Sequence, residues 1–219
     1  MKLKIIPTSS PNFDASPINA RFALIHYTAC DLETTLKIFA DPQKRVSSHY
    51  LISVAGDIYE PVGQKNGKFL RAWHAGRGFL PGGKEVVNLN ESCIGIELEN
   101  TNGNIFSYEE KQYKALFQLA EKIITDFPDL NSPDRWFGHE HFCGYRGKCD
   151  PGHLFNWERF FFNVFGPGHN QIRKPVLSGK ALPVLRKLYE TTAISGSPTA
   201  QMLLSSLTET LLGVRHADS

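Results

Sequence analysis

The chain has 219 residues, of which 41% are hydrophobic and 21% are charged, a composition typical of a globular protein with one well-formed core. Its formal net charge of +2, without any Lys/Arg run, argues against nucleic acid as a partner. No segment reaches the apolar length of a membrane span, and the apolar pair before Pro7 is too short for the core of a secretory signal. We therefore expect a cytosolic protein, or one exported by a route without a cleavable signal, whose four cysteines are free thiols.

A buried strand and a short helix are the first predicted elements. Residues 21–26 (RFALIH) read as a strand that places Phe22, Leu24 and His26 on one face. Asp31 then provides an N-cap for a helix with leucines and a phenylalanine at helical spacing. Two further strands over 49–54 and 57–61 follow, with the turn Ala55-Gly56 between them.

The segment 91–99 (ESCIGIELE) alternates cleanly and predicts a strand with one apolar face. Ile94, Ile96 and Leu98 point one way, and Gly95, Glu97 and Glu99 the other. Ser107 and Glu110 predict a capping box for a long helix that stops at Pro128, and residues 136–139 predict a last short strand. Strands that alternate with helices predict an α/β domain with a mixed central β-sheet flanked by helices.

The composition changes after Phe165, which indicates the domain organisation. Gly166-Pro167-Gly168 opens a polar, proline-punctuated stretch, and leucines at helical spacing return near the carboxyl terminus. We predict a domain over residues 1–165, a linker or surface loop over 166–182 and a C-terminal helical extension over 183–219.

Residues 138–152 (GHEHFCGYRGKCDPG) place two histidines, two cysteines and two carboxylates within fifteen residues. Catalytic zinc uses three protein ligands and keeps a fourth position for water, and His26, His139 and Asp150 would form such a set. A hydrogen-bonded structural histidine at 26 and a simple turn at 150–152 are the alternatives. Glu97 and Glu99 share one strand face, so alternation does not separate them, and Trp73-His74 suits a substrate groove or a core equally well.

Seven segments together resemble the zinc-dependent N-acetylmuramoyl-L-alanine amidases of the type-2 family, which includes AmpD-type enzymes and is related to peptidoglycan recognition proteins. In order they are SPNFDASP (10–17), LIHYT (24–28), RVSSHYLI (45–52), RAWHAG (71–76), NESCIGIELEN (90–100), GHEHF (138–142) and KCDPG (148–152). The resemblance covers residues 10 to about 160, and so the predicted domain but not the extension.

The resemblance implies a role for individual residues. The Zn²⁺ ligands fall on His26, His139 and Asp150, the catalytic acid/base on Glu97, and an oxyanion-stabilising lysine on Lys148. We further expect Trp73, His74 and His49 to bind the substrate. The implied reaction is hydrolysis of the amide between N-acetylmuramic acid, or its 1,6-anhydro form, and L-alanine of the peptidoglycan stem peptide.

Three features depart from the family pattern. Gly147 separates Arg146 from Lys148, which the family commonly has side by side. His141 shares a face with His139 on an extended segment, so it is a rival metal ligand, and Cys149 is another.

Three other functions compete with a recycling amidase. They are a non-catalytic peptidoglycan-binding module, a wall-lytic phage or secreted effector amidase that acts on intact peptidoglycan, and a structural zinc or disulfide site at Cys143 and Cys149.

Overall fold

A computed structural model describes residues 3–80 and 85–169. The strands are β1 (Ile5–Pro7), β2 (Phe13–Pro17), β3 (Phe22–Tyr27), β4 (Tyr50–Ile52), β5 (Ile58–Glu60), β6 (Gln64–Lys65), β7 (Lys68–Ala72), β8 (Arg77–Phe79), β9 (Val86–Asn88), β10 (Cys93–Leu98) and β11 (Trp136–Gly138). The α-helices are α1 (Leu32–Ala40), α2 (Glu110–Asp126), α3 (Glu140–Cys143) and α4 (Trp157–Phe165). Single 3-10 turns lie at Leu89–Glu91, Pro128–Leu130, Pro133–Arg135 and Gly144–Arg146.

The central sheet has six strands in the order β1-β5-β4-β10-β3-β11. Strands β4, β10, β3 and β11 run parallel to one another, and the β4–β5 hairpin supplies the antiparallel pair. A three-stranded sheet (β2-β7-β6) and the hairpin β8-β9 lie beside it. The predicted mixed sheet flanked by helices is confirmed.

The two faces of the sheet have different neighbours, as the alternation in β10 predicts. Ile94 and Ile96 join the larger core cluster, which contains the buried faces of α2 and α4. The opposite face carries a smaller apolar cluster that includes Leu24 and Phe142, and beyond it the polar side chains of the site. Because paired residues of parallel strands point to the same side, Glu97, in register with His26, faces the same way as that histidine.

Helix α2 packs through one face, with Tyr113, Leu116, Ala120 and Ile123 buried. Its start differs from the prediction: the capping box is formed by Glu109 and Gln112 rather than by Ser107 and Glu110, and the Glu109 backbone N–H donates to Gln112 Oε1 at 3.0 Å. Both pairs have the same i, i+3 spacing, so the sequence alone does not show which pair starts the helix.

The remaining predicted elements are present within a residue or two of their expected ends. Asp31 caps α1 by accepting a hydrogen bond from the Thr34 N–H at 2.8 Å. No helix in the described ranges is long and apolar enough to cross a membrane. The predicted linker (166–182), apart from its first four residues, and the predicted extension (183–219) lie outside the described residues.

Candidate active site

Three parallel strands bring the predicted site residues to one edge of the sheet. His26 lies near the carboxyl end of β3, directly beside Glu97 of β10, and His139 follows the last residue of β11. The carboxyl ends of parallel strands meet at one edge, so side chains far apart in sequence converge there. Asp150 joins them from the loop that follows α3.

His26, His139 and Asp150 form one buried cluster. Asp150 Oδ2 lies 2.7 Å from His26 Nδ1 and 3.1 Å from His139 Nδ1. One ligand atom from each side chain falls within 4.8 Å of the other two. The histidines are each 2% exposed and the aspartate 9%, so the three groups face one another and not bulk water.

The outer nitrogen of His139 has a partner that fixes the state of its ring. His139 Nε2 lies 3.1 Å from the carbonyl oxygen of Ala75, which can only accept a hydrogen bond. Nε2 therefore carries the proton, and the lone pair of the neutral ring is on Nδ1, which faces Asp150. This is the arrangement that second-shell partners impose on metal-binding histidines.

Hydrogen bonds within the cluster shift the pKa values of its members. Burial alone would raise the pKa of Asp150, but hydrogen bonds with His139 and His26 outweigh it and lower that pKa. Burial alone would lower the pKa of His139, yet the hydrogen bond with Asp150 raises it to about 9. The site therefore favours a positive charge beside the Asp150 carboxylate.

Glu97 is the buried carboxyl group next to this cluster. It is 8% exposed, and its Oε2 atom has no hydrogen-bond partner. Burial, and next the negative charge of Asp150, raise the pKa of Glu97 well above its ordinary value, while His139 and Lys148 act in the opposite direction. Glu97 is thus a carboxyl group with high proton affinity and an unused oxygen in the site.

Glu99 has a different task, which separates it from Glu97. Its two carboxylate oxygens accept hydrogen bonds from the backbone N–H groups of Leu32 and Val54, at 2.9 and 2.8 Å. Glu99 therefore joins the start of α1 to the end of β4, and both of its oxygens are occupied.

The extra residue Gly147 is accommodated in a tight turn between Arg146 and Lys148. Gly147 adopts φ +80°, a left-handed conformation that suits glycine, and its N–H donates to the Gly144 carbonyl at 2.9 Å. Arg146 Nη1 donates to the carbonyl oxygens of Ala75 and Arg77. Lys148 is exposed, and its positive charge partly offsets the rise in the pKa of Glu97. The lysine is therefore close to the site despite the additional glycine.

A model of the family described as N-acetylmuramoyl-L-alanine amidase matches residues 15–153, more than half of the chain, and this range contains the whole cluster. The chain belongs to this amidase family.

The chain is similar in sequence to two curated amidases. The chain is 38% identical over 122 residues to 1,6-anhydro-N-acetylmuramyl-L-alanine amidase AmpD of Haemophilus influenzae, covering 56% of this chain and 60% of that protein. It is 34% identical over 146 residues to N-acetylmuramoyl-L-alanine amidase AmiD of Escherichia coli, covering 62% of this chain and 50% of that protein. The match thus spans between half and two thirds of the length of these relatives.

Two solved structures have the same fold and contain ligands. E. coli AmiD in complex with anhydro-N-acetylmuramic acid-L-Ala-D-γ-Glu-L-Lys matches with a TM-score of 0.56 and 27% identity, covering 80% of this chain and 73% of that one. AmpDh3 of Pseudomonas aeruginosa in complex with anhydromuramic pentapeptide matches with a TM-score of 0.55 and 26% identity, covering 88% and 74%.

Both rival ligands of this amidase-family chain point away from the cluster. His141 Nδ1 accepts a hydrogen bond from the Gly138 N–H at 2.8 Å, and its ring packs edge-on against Trp157. Cys149 Sγ lies 3.2 Å from the Tyr27 hydroxyl on the exposed side of the loop. All four cysteines are free thiols, as expected, so the disulfide alternative at Cys143 and Cys149 is wrong.

The residues predicted to bind substrate occupy three different positions. Trp73 is half-buried, and its indole N–H donates to Asp14 at 2.9 Å. His74 lies behind His26, with its Nδ1 atom 3.0 Å from His26 Nε2. His49 is 0% exposed, and both its ring nitrogens bond to the backbone, so no surface remains for a substrate to contact. The prediction for His49 is wrong because a strand-end histidine beside a serine pair reads the same whether it faces the groove or the core.

Sequence reasoning missed the residues that support the site. Asn90 Oδ1 accepts hydrogen bonds from three successive backbone N–H groups, those of residues 74–76, and so shapes the loop whose carbonyl meets His139. The Tyr108 hydroxyl donates to the Pro151 carbonyl at 2.7 Å, beside Asp150. Glu140 adds a further carboxyl group, whose pKa burial and the Asp150 charge raise to about 8. Only the asparagine-rich composition of residues 100–104 could have pointed to supporting loops.

Proposed function

We propose that this protein is a zinc-dependent amidase that hydrolyses the amide bond between N-acetylmuramic acid, or its 1,6-anhydro form, and L-alanine of the peptidoglycan stem peptide. The observation that carries the proposal is the buried His26/His139/Asp150 cluster with Glu97 beside it. Family membership supports the reaction class, and the muropeptide ligands of the related AmiD and AmpDh3 structures support the substrate class.

The donor set fits zinc. Two imidazole nitrogens and one carboxylate oxygen match the His/carboxylate sets of catalytic zinc sites, which leave one position open. His26, His139 and Asp150 would hold the ion, and it would supply Lewis acidity that polarises the scissile carbonyl and acidifies water.

Glu97 is proposed as the general base and then the general acid. Its buried carboxylate, with an unpartnered oxygen and a raised pKa, can take a proton from the attacking water and deliver it to the departing amine of L-alanine. The amide C–N bond breaks as the water oxygen bonds to the lactyl carbonyl carbon, and the products are a free carboxylate and a free amine.

Lys148 is proposed to stabilise the charge that develops on the carbonyl oxygen. Its ammonium group is near enough to the site to lower the pKa values of Glu97 and His26. A fixed positive charge aimed at a developing oxyanion lowers the barrier more than it strengthens substrate binding. Its exposure keeps it able to reach a bound substrate.

The decisive experiment measures release of free stem peptide from a soluble anhydro-muropeptide, with and without a chelator. Glu97→Gln is compared with Glu99→Gln, a matched change two residues farther along the chain, just after the end of β10. We expect Glu97→Gln to lower kcat by roughly 10²–10⁴-fold, and Glu99→Gln to keep turnover while losing stability. Full activity after Glu97→Gln or Asp150→Ala would overturn the residue assignment.

Two further measurements define the biological role. Muropeptide binding without zinc and without turnover would identify a non-catalytic binding module instead of an enzyme. Turnover of soluble anhydro-muropeptide that greatly exceeds turnover of intact sacculi would support muropeptide recycling, and the reverse ratio would support a wall-lytic amidase.

A further inference from the structure

The ring state of His26 is decided by a residue that does not belong to the cluster. A neutral histidine carries one proton, which can sit on either ring nitrogen, and only the nitrogen without it can bind a metal ion. Resting on the zinc site proposed above, we propose that His74 is a positioning residue that fixes the tautomer of His26 and thereby directs its Nδ1 lone pair at the metal.

A backbone carbonyl sets the tautomer of His74. His74 Nε2 lies 3.1 Å from the carbonyl oxygen of Cys93, which can only accept, so His74 is protonated on Nε2. Its Nδ1 atom then has a lone pair, and that lone pair faces His26 Nε2 at 3.0 Å. His26 Nε2 is therefore the donor, and the remaining nitrogen, Nδ1, is the one that faces Asp150 Oδ2 at 2.7 Å.

The position of His74 depends on the absence of a side chain at Gly95. A Cβ atom at Gly95 would lie 2.5 Å from Cγ of the His74 ring and 2.7 Å from its Nδ1, closer than real contacts allow. The Gly95 backbone cannot retreat easily, because its N–H donates to His49 Nδ1 at 2.9 Å and its carbonyl accepts from the Ser48 hydroxyl at 2.8 Å. The glycine in the IGIE segment thus makes room for the imidazole behind the metal ligand.

His74 has the burial that this role needs. It is 9% exposed, and its ring meets those of His26 and His49 edge-on, with centroids 5.2 and 5.6 Å away.

The test measures zinc affinity by chelator competition, not activity, for the wild type, His74→Phe and His74→Asn. Phenylalanine keeps the ring but accepts no hydrogen bond, whereas the amide oxygen of asparagine can occupy the place of Nδ1. Loss of a second-shell partner costs roughly 10–100-fold in metal affinity, and we expect that loss for His74→Phe. His74→Asn should recover most of it. Thermal unfolding of the metal-free proteins reports any general loss of stability.

A spectroscopic readout tests the tautomer itself. Imidazole ¹⁵N correlation spectra of the zinc-loaded wild type should show His26 protonated on Nε2 and ligating through Nδ1. Ligation through Nε2 would overturn the inference, as would equal zinc affinities for His74→Phe and the wild type, or equal losses for His74→Phe and His74→Asn. A wild-type protein that binds no zinc would instead overturn the proposed function.

Discussion

His49 should make the protein lose stability in mild acid. Its Nδ1 accepts a hydrogen bond from the Gly95 N–H at 2.9 Å, and its Nε2 faces the Leu70 carbonyl at the same distance. A protonated His49 ring would place its Nδ1–H against the Gly95 N–H and would carry a charge in a fully buried site. Burial is the main cause that lowers the pKa of His49 from 6.5 to about 4.

The sign follows from proton uptake in the two states. As the pH falls through 6.5, His49 takes up a proton in the unfolded chain but not in the fold, so the free energy of unfolding decreases. The decrease ends near pH 4, where the folded ring is protonated too. At 1.36 kcal/mol per pH unit, this window corresponds to about 3 kcal/mol.

His49→Asn is the informative perturbation, because its amide oxygen can still accept from the Gly95 N–H while the ionisation is removed. Urea unfolding followed by circular dichroism, at pH values from 7 to 4 and with a chelator present, gives both free energies. The free energy of unfolding of the wild type should exceed that of His49→Asn most at pH 7. This difference should shrink by about 3 kcal/mol by pH 4. Two curves that stay parallel over this range would refute the reasoning, whatever their offset.

Four other substitutions test the site. Gly103→Ala places a Cβ atom 1.9 Å from the Pro151 carbonyl oxygen, so urea unfolding should show a loss of about 1–3 kcal/mol and chelator competition a weaker zinc site; unchanged stability would contradict this packing. Lys148→Ala should lower kcat by roughly 10²–10³-fold with zinc content unchanged, and a change in KM alone would remove its oxyanion role. Cys149→Ser should bind zinc like the wild type, because Sγ faces Tyr27, whereas Asp150→Asn should bind it far more weakly; the opposite order would make Cys149 the ligand.

The sheet could be predicted from the sequence because the patterns that indicate its strands are local. Strict alternation in β10 and a continuous apolar run in β3 come from which face each residue buries, and both strands lie where they were predicted. The capping box of α2 lies two residues beyond the predicted pair, because two overlapping pairs have the same i, i+3 spacing.

The site could be predicted from the sequence only in part. The residues predicted as ligands do lie together, but strand alternation alone left Glu97 and Glu99 equivalent. Partners distant in sequence separate them: Glu99 bonds to α1 and β4, whereas Glu97 faces the cluster. The misjudged position of His49 has the same origin, because its burial depends on strands β7 and β10, which a local reading of the chain does not include.

The backbone N–H of Glu140 donates to the carbonyl oxygen of Asp150 at 3.1 Å, which closes the chain between His139 and Asp150 into a loop. Since this bond lies at the base of the loop, a residue added farther out, such as Gly147, lengthens the loop without separating His139 from Asp150. The entropic cost of closing a loop grows only slowly with its length. The spacing between His139 and Asp150 can therefore change at the exposed residues 146–149 while the pair at the base of the loop stays in place.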